Sequence, residues 1–177
     1  MFTQTSKSCL LALALAIPMV ASAINNPGFE DGMQGWKAST RDTITVKNSS
    51  EGAPGSSSAL QIMDPDAVKG AFIASDRFQV DSGAKYQLLY QGKTVSGNGC
   101  GVYVVFFDAS KKAINRPGNS KGTDPVGKGL SVAGNKWKSY KLDFDVPANA
   151  TSAAIYILSY GKSTGEFLLD NFELKKM

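Results

Sequence analysis

The stretch Val102-Tyr103-Val104-Val105-Phe106-Phe107 holds only β-branched and aromatic residues, the types that fit a pleated, half-buried backbone. A period of two puts Val102, Val104 and Phe106 on one face, and Tyr103, Val105 and Phe107 on the other. Both faces are apolar enough to be covered, so this is a strand inside a sheet. The same alternation recurs outward in both directions. In 84–95, Tyr86, Leu88 and Tyr90 oppose Gln87, Leu89, Gln91 and Lys93. In 137–146, Tyr140, Leu142, Phe144 and Val146 oppose Lys141, Asp143 and Asp145. In 151–160, Ala153, Ile155 and Ile157 oppose Ala154, Tyr156, Leu158 and Tyr160.

Helical periodicity is nearly absent. Short runs separated by Gly, Pro, Asn, Asp and Ser predict strands near 24–30, 35–38, 42–47, 57–63, 70–80, 84–95, 100–108, 137–146, 151–160 and 165–175. Many strands without intervening helices predict an all-β fold, a single-domain β-sandwich of the jelly-roll kind. The stretch 109–136, rich in Gly and Pro, reads as a long loop with one short strand. Long loops in compact domains are often functional.

Residues 1–23 read as a secretory signal peptide. Lys7 gives the positive start, Leu10 to Val20 the apolar run, and Ala21-Ser22-Ala23 the small-residue cleavage pattern. The apolar run is too short to cross a bilayer, and Cys9 precedes it rather than following the cleavage site. The expected product, residues 24–177, is exported, periplasmic or secreted, without a transmembrane anchor. It keeps one cysteine, Cys100, and so has no internal disulfide.

The chain contains no histidine. That excludes the Ser-His-Asp triad, the Cys-His pair and the ordinary zinc site. Lysines are scattered, with doublets only at Lys111-Lys112 and Lys175-Lys176, which reads as a solvated surface and not as a nucleic-acid stripe.

Three segments, in order, carry a resemblance. The first is Asn25-Asn26-Pro27-Gly28-Phe29-Glu30-Asp31-Gly32, followed by Gly35-Trp36. The second is Gly83-Ala84-Lys85-Tyr86-Gln87-Leu88, then Lys93 and Phe107-Asp108 before Lys112 and Ile114. The third is Trp137, Phe144-Asp145-Val146-Pro147, Ala150-Thr151, Ile155, Ile157 and Leu168-Leu169-Asp170-Asn171. Together they resemble the carbohydrate-binding modules of families 4 and 9, over nearly all of 24–175. The resemblance implies a jelly roll that binds a polysaccharide or oligosaccharide without catalysis.

It also implies a structural calcium joining the chain ends, with Glu30 and Asp170 at the acidic positions and Gly32 and Asn48 as sources of carbonyl oxygen. Such an oxygen set suits a hard cation. The implied sugar site is the concave face of one sheet. Sugars offer CH-rich faces to rings and hydroxyls to amides, which makes Tyr103, Tyr156, Tyr160, Gln87 and Gln91 the candidates, with Phe107 and Lys93 behind them. Trp36 is expected in a loop at the rim and Trp137 in the core.

Two weaker readings stand beside this one. A hydrolase would need paired carboxylates, for which Asp143 and Asp145 are the nearest candidates, and a lyase would use Tyr103 with Lys93. A surface or matrix protein would use the same sandwich to bind a protein partner.

Overall fold

The computed structural model describes residues 23–39, 45–114, 127–159 and 164–177. Among these residues eleven strands follow one another: β1 (Trp36–Ser39), β2 (Thr45–Ser49), β3 (Ala59–Asp64), β4 (Phe72–Ser75), β5 (Phe78–Gln79), β6 (Lys85–Gly97), β7 (Gly101–Phe107), β8 (Gly127–Ser131), β9 (Lys138–Asp145), β10 (Ser152–Leu158) and β11 (Gly165–Lys176). The first sheet runs β1-β4-β10-β7-β8, with β5 also paired to β10. The second runs β2-β3-β11-β6-β9. Every pairing is antiparallel. Neighbours distant in sequence, such as β3 beside β11 and β7 beside β10, make this a jelly-roll sandwich.

The core lies between the sheets. Val102, Val104 and Phe106 of β7 and Ile155 and Ile157 of β10 meet Leu88 and Tyr90 of β6 and Phe167 and Leu169 of β11 there. Opposite faces of β7 and β10 therefore point out of the sandwich, and this is where the alternation read from sequence matters. Among the described residues no helix is long and apolar enough to cross a membrane.

Three expectations change. Residues 24–30 form turns, not a strand. Asn26, Phe29, Gly32 and Gly35 all have positive φ, between 46° and 76°, and Asn-Pro-Gly is turn chemistry. The Asn26 side chain holds this loop: its amide donates to the Gly32 and Gln34 carbonyls and its oxygen accepts from the Asp31 N–H. Trp36 is core, not rim. It is 4% exposed, packs on Phe29 and Phe172 with centroids at 4.9 and 5.2 Å, and donates its indole N–H to the Asn26 carbonyl. Trp137 is only half-buried, and the Lys93 ammonium sits 5.6 Å from its ring centroid. The expected short strand within 109–136 is β8 at one edge of the first sheet. Between β6 and β7 the chain reverses at Gly99 (φ 94°), where a Cβ would stand 2.0 Å from the Val132 carbonyl oxygen, so only glycine fits.

Candidate functional site

The outer face of the first sheet carries a second apolar group, separate from the core: Val105, Phe107 and Ala154, with Tyr103, Ala113 and Tyr156 packed against them. Sheet register builds it. Tyr156 pairs with Tyr103, Ala154 with Val105 and Ser152 with Phe107, so one strand face of β7 meets one strand face of β10. Phe72 of β4 adds an edge-to-face ring 4.8 Å from Tyr156, and Phe107 lies 6.4 Å from Tyr156 on its other side. Such tilted pairs are favourable arrangements for aromatic quadrupoles. On the β8 side the partners of Tyr103 and Val105 are Gly129 and Gly127, which bring no side chain to the face.

Beside this platform lies a depression of about 750 Å³, lined by Lys37, Asp76, Arg77, Gln79, Lys111 and Tyr156 among others. The Arg77 guanidinium lies over the Phe107 ring, 3.9 Å from its centroid. Burial pushes the Tyr156 phenol above its usual range, partly offset by the positive charge of Arg77. It stays a neutral hydrogen-bonding group at physiological pH. The rim has both signs of charge, with Lys37 facing Asp76 at 4.0 Å. Asp108 is drawn below the usual carboxylate range by the Ser110 hydroxyl and the Lys112 N–H. The arrangement offers flat apolar rings next to hydrogen-bonding groups in an open, wettable hollow.

The outer face of the second sheet differs. Gln87 donates to Asp143 at 2.8 Å, the Asn171 amide donates to Gln91 at 2.9 Å, and Lys93 is paired with Glu51. Lys85–Asp145, Lys141–Asp143 and Lys175–Glu173 continue the pattern. The polar groups of this face are occupied with one another.

At one end of the sandwich, Glu30 and Asp170 come together. A Cβ on Gly28 would lie 3.6 Å from Asp170 Oδ1, 3.5 Å from Asn171 Oδ1 and 3.9 Å from Glu30 Cγ. Asp170 is fully buried. Its carboxylate accepts from the Ala53 N–H at 2.8 Å and the Asn171 N–H at 2.7 Å. Burial pushes its acidity toward the protonated form, and the Glu30 charge adds to this. Glu30 is the reverse. The Ser57 and Ser56 hydroxyls and the Ser57 N–H hold its carboxyl down to about 2. Among the described residues neither carboxylate has a Lys or Arg within ion-pair distance. Two adjacent carboxylates, one of them buried, with oxygen-rich surroundings and no basic partner, fit a hard cation.

Several expectations can now be placed. Tyr103 and Tyr156 share the outer face of the first sheet, with Phe107 beside them. Gln87, Gln91 and Lys93 lie on the other sheet, on its outer side, so the six-residue set does not form one surface. Tyr160 falls outside the described residues. Glu30 and Asp170 do meet. Gly32 gives its carbonyl to the Asn26 amide, and Asn48 uses its amide to hold the Phe29 carbonyl, so both support the loop around Glu30. Tyr103 and Lys93 are on opposite sheets and do not form the pair a lyase would use. Asp143 and Asp145 stand exposed beside lysines. Sequence reading missed Phe72 and Arg77. The alternation of Phe72-Ile73-Ala74-Ser75 would have put Phe72 opposite the core residue Ile73. No local signal marks Arg77, which enters the site only because the β4–β5 turn lies beside β10 and its side chain reaches across that strand to Phe107 of β7.

A family model described as a carbohydrate binding domain of the 4/9 type matches residues 21–164. No curated protein matches the sequence. Among solved structures, the enzymatically active domain of bacteriophage CBA120 tailspike protein 4 is similar at TM-score 0.70 and 18% identity, over 88% of this chain. This chain spans only 21% of that one. A family 16 carbohydrate-binding module is similar at TM-score 0.61 and 20% identity, over 86% of this chain and 99% of that one. The CBM22-1 xylan-binding domain of Paenibacillus barcinonensis Xyn10C is similar at TM-score 0.55 and 20% identity, over 84% and 90%. At these identities the structures speak for the fold.

Proposed function

The chain belongs to the carbohydrate-binding domain family, and from that premise we propose that it is an exported, non-catalytic module that binds a poly- or oligosaccharide on the outer face of its first sheet. The observation that carries this reading is the Phe72–Tyr156–Phe107 row of rings, with Tyr103 opposite Tyr156, bordering an open polar hollow. A pyranose ring lays its CH face on the part-exposed Phe72 and Tyr156 rings, beside Arg77 over the buried Phe107, while its hydroxyls reach Gln79, Thr151 and Ser152. Rigid strands hold the rings, so little ordering entropy opposes binding. Export rests on the Lys7, Leu10–Val20 and Ala21-Ser22-Ala23 pattern.

The same reading includes a structural calcium held by Glu30 and Asp170, which would neutralise a buried carboxylate and join the start of the domain to β11. Calcium supplies only charge and oxygen affinity.

The test is a glycan array and titration calorimetry on residues 24–177, with xylan among the probes, for wild type and Tyr156→Ala. Binding to a defined glycan that the substitution abolishes supports the reading. A folded protein that binds no glycan, and instead captures one protein partner, would replace it with the adhesive alternative. Release of reducing ends from any bound polysaccharide would overturn the non-catalytic part.

A further inference from the structure

Arg77 is held in an unusual position for a surface arginine. Its guanidinium carbon lies over Phe107, 3.9 Å from the ring centroid, and the side chain lines the hollow next to Tyr156. Among the described residues no carboxylate comes within ion-pair distance of it. The nearby acids have other partners. Asp76 faces Lys37 at 4.0 Å, and Asp108 accepts from the Ser110 hydroxyl at 2.7 Å and the Lys112 N–H at 2.9 Å. Lys111 stands on the same rim, at a turn where its backbone takes φ 67°. The hollow thus contains a guanidinium held over an aromatic ring, with no acidic partner among the described residues. The contact with the ring limits the freedom of the side chain, which reduces what is lost when it binds. A planar fork of N–H donors is the natural complement of a carboxylate, which it engages through two parallel hydrogen bonds.

We infer that the sugar bound on this face is acidic, a uronate whose carboxylate is taken by Arg77 while its ring lies on the adjoining aromatic platform. This rests on the proposed glycan-binding face and adds the class of sugar. The formal charge of +4, one unit of it from Lys7 in the expected signal peptide, leaves residues 24–177 positive, which favours approach of such a polyanion without choosing its sequence.

The test uses uronate tetrasaccharides from pectin and alginate, each against its carboxyl-reduced counterpart, with neutral xylohexaose as a further probe. Wild type, Arg77→Gln, Arg77→Lys and Tyr156→Ala are titrated, and near-UV circular dichroism checks that each is folded. Wild type is expected to bind at least one uronate tetrasaccharide more tightly than its reduced form. Arg77→Gln is expected to weaken that binding about tenfold to a hundredfold, the range of a lost charge-assisted hydrogen bond, and to erase the preference. Arg77→Lys, which keeps charge but not the fork, should recover only part. Added salt should weaken the acidic ligand and leave a neutral one unchanged. If a neutral oligosaccharide binds as well as the uronates, and Arg77→Gln changes nothing while Tyr156→Ala abolishes binding, this inference falls and the glycan-binding face stands. If no oligosaccharide binds the folded wild type, both fall together. A preference for dextran sulfate over every uronate would overturn the carboxylate assignment in favour of a sulfate ester.

Discussion

Two groups of aromatic rings sit on opposite sides of one sheet and have opposite roles. Phe29, Trp36, Phe172 and Tyr90 form the inner group, with successive centroids 4.9 to 6.1 Å apart and every ring sealed in the core. Phe72, Tyr156, Phe107 and Tyr103 form the outer group at similar spacing, but Phe72, Tyr103 and Tyr156 keep part of their surface in water. Ring chemistry does not separate them. What differs is the far side of each group. The inner rings meet another sheet, and the indole N–H of Trp36 is satisfied by the Asn26 carbonyl. The outer rings pack with Val105, Ala154 and Ala113 on their own sheet, and Phe107 and Tyr156 border Arg77 and an open hollow. Aromatic surface is offered for binding where the fold leaves rings part-exposed beside a hollow.

That contrast can be broken by substitution on each side. Phe172→Ala removes the ring that touches Phe29, Trp36 and Tyr90, and should cost about 3–5 kcal/mol of stability in urea unfolding. The molecules that remain folded should bind glycan with unchanged affinity; a proportionate loss of affinity would show that the two groups are not independent.

Calcium should act on the inner side alone. At a hundredfold excess over its dissociation constant, the ion should add about 2.7 kcal/mol, and so raise the thermal midpoint by about 5–10 °C. Glu30→Gln should lose most of that gain, and EDTA should bring wild type down to the variant. An unchanged midpoint in EDTA and in millimolar calcium would remove the ion from the account.

Tyr156→Ala should weaken glycan binding about thirtyfold, the scale of a buried anchor residue, while its half-exposed position keeps the stability loss small. Equal loss of both would mean the ring is structural after all.

Acid titration separates the two carboxylates in the absence of calcium. Glu30 has a folded-state value near 2 against an ordinary 4.5. Its contribution is complete above about 4.5 and fades as pH falls toward 2. Asp170 is shifted upward, so its ionisation works against folding at neutral pH and protonation relieves it. In EDTA, Glu30→Gln should therefore be less stable than wild type at pH 7, with the gap closing below pH 4.5. A gap that stays constant with pH would exclude the carboxylate as its cause.

The smallest effects belong to the second sheet's outer face. Gln87→Ala and Gln91→Ala remove only exposed hydrogen bonds, to Asp143 and the Met177 sulfur in the first case and from Asn171 in the second, and should change stability by less than about 0.5 kcal/mol. Neither should alter glycan affinity. A clear loss of affinity from either would put the site on the wrong sheet.

Much of this was legible in the chain. Period-two alternation in 84–95, 101–108, 137–146 and 151–160 marks which residues face inward, because successive strand residues must point to opposite faces. It also pairs Tyr103 with Val105 and Phe107, and Tyr156 with Ala154. The 24–30 segment misled because its apolar residues Ile24 and Phe29 are core residues delivered by turns, and the Asn26-Pro27-Gly28 punctuation outweighs them. The candidate site was half legible. Tyr103 and Tyr156 stand together, whereas Gln87 and Gln91 have the same sequence signature, polar residues opposite a core face, and lie on another sheet.

The sequence by itself determined most of the strands, their faces and the absence of histidine chemistry, which follow from side-chain chemistry and a local backbone period; the acidic pair at the two ends of the domain came from the family resemblance. Only the tertiary structure decided which outer face is open, which polar groups are already paired, and that Arg77 from a short turn would lie over Phe107 from β7. Each of these depends on which strands become neighbours, and long-range antiparallel pairing is fixed by the whole sandwich, not by any one segment of it.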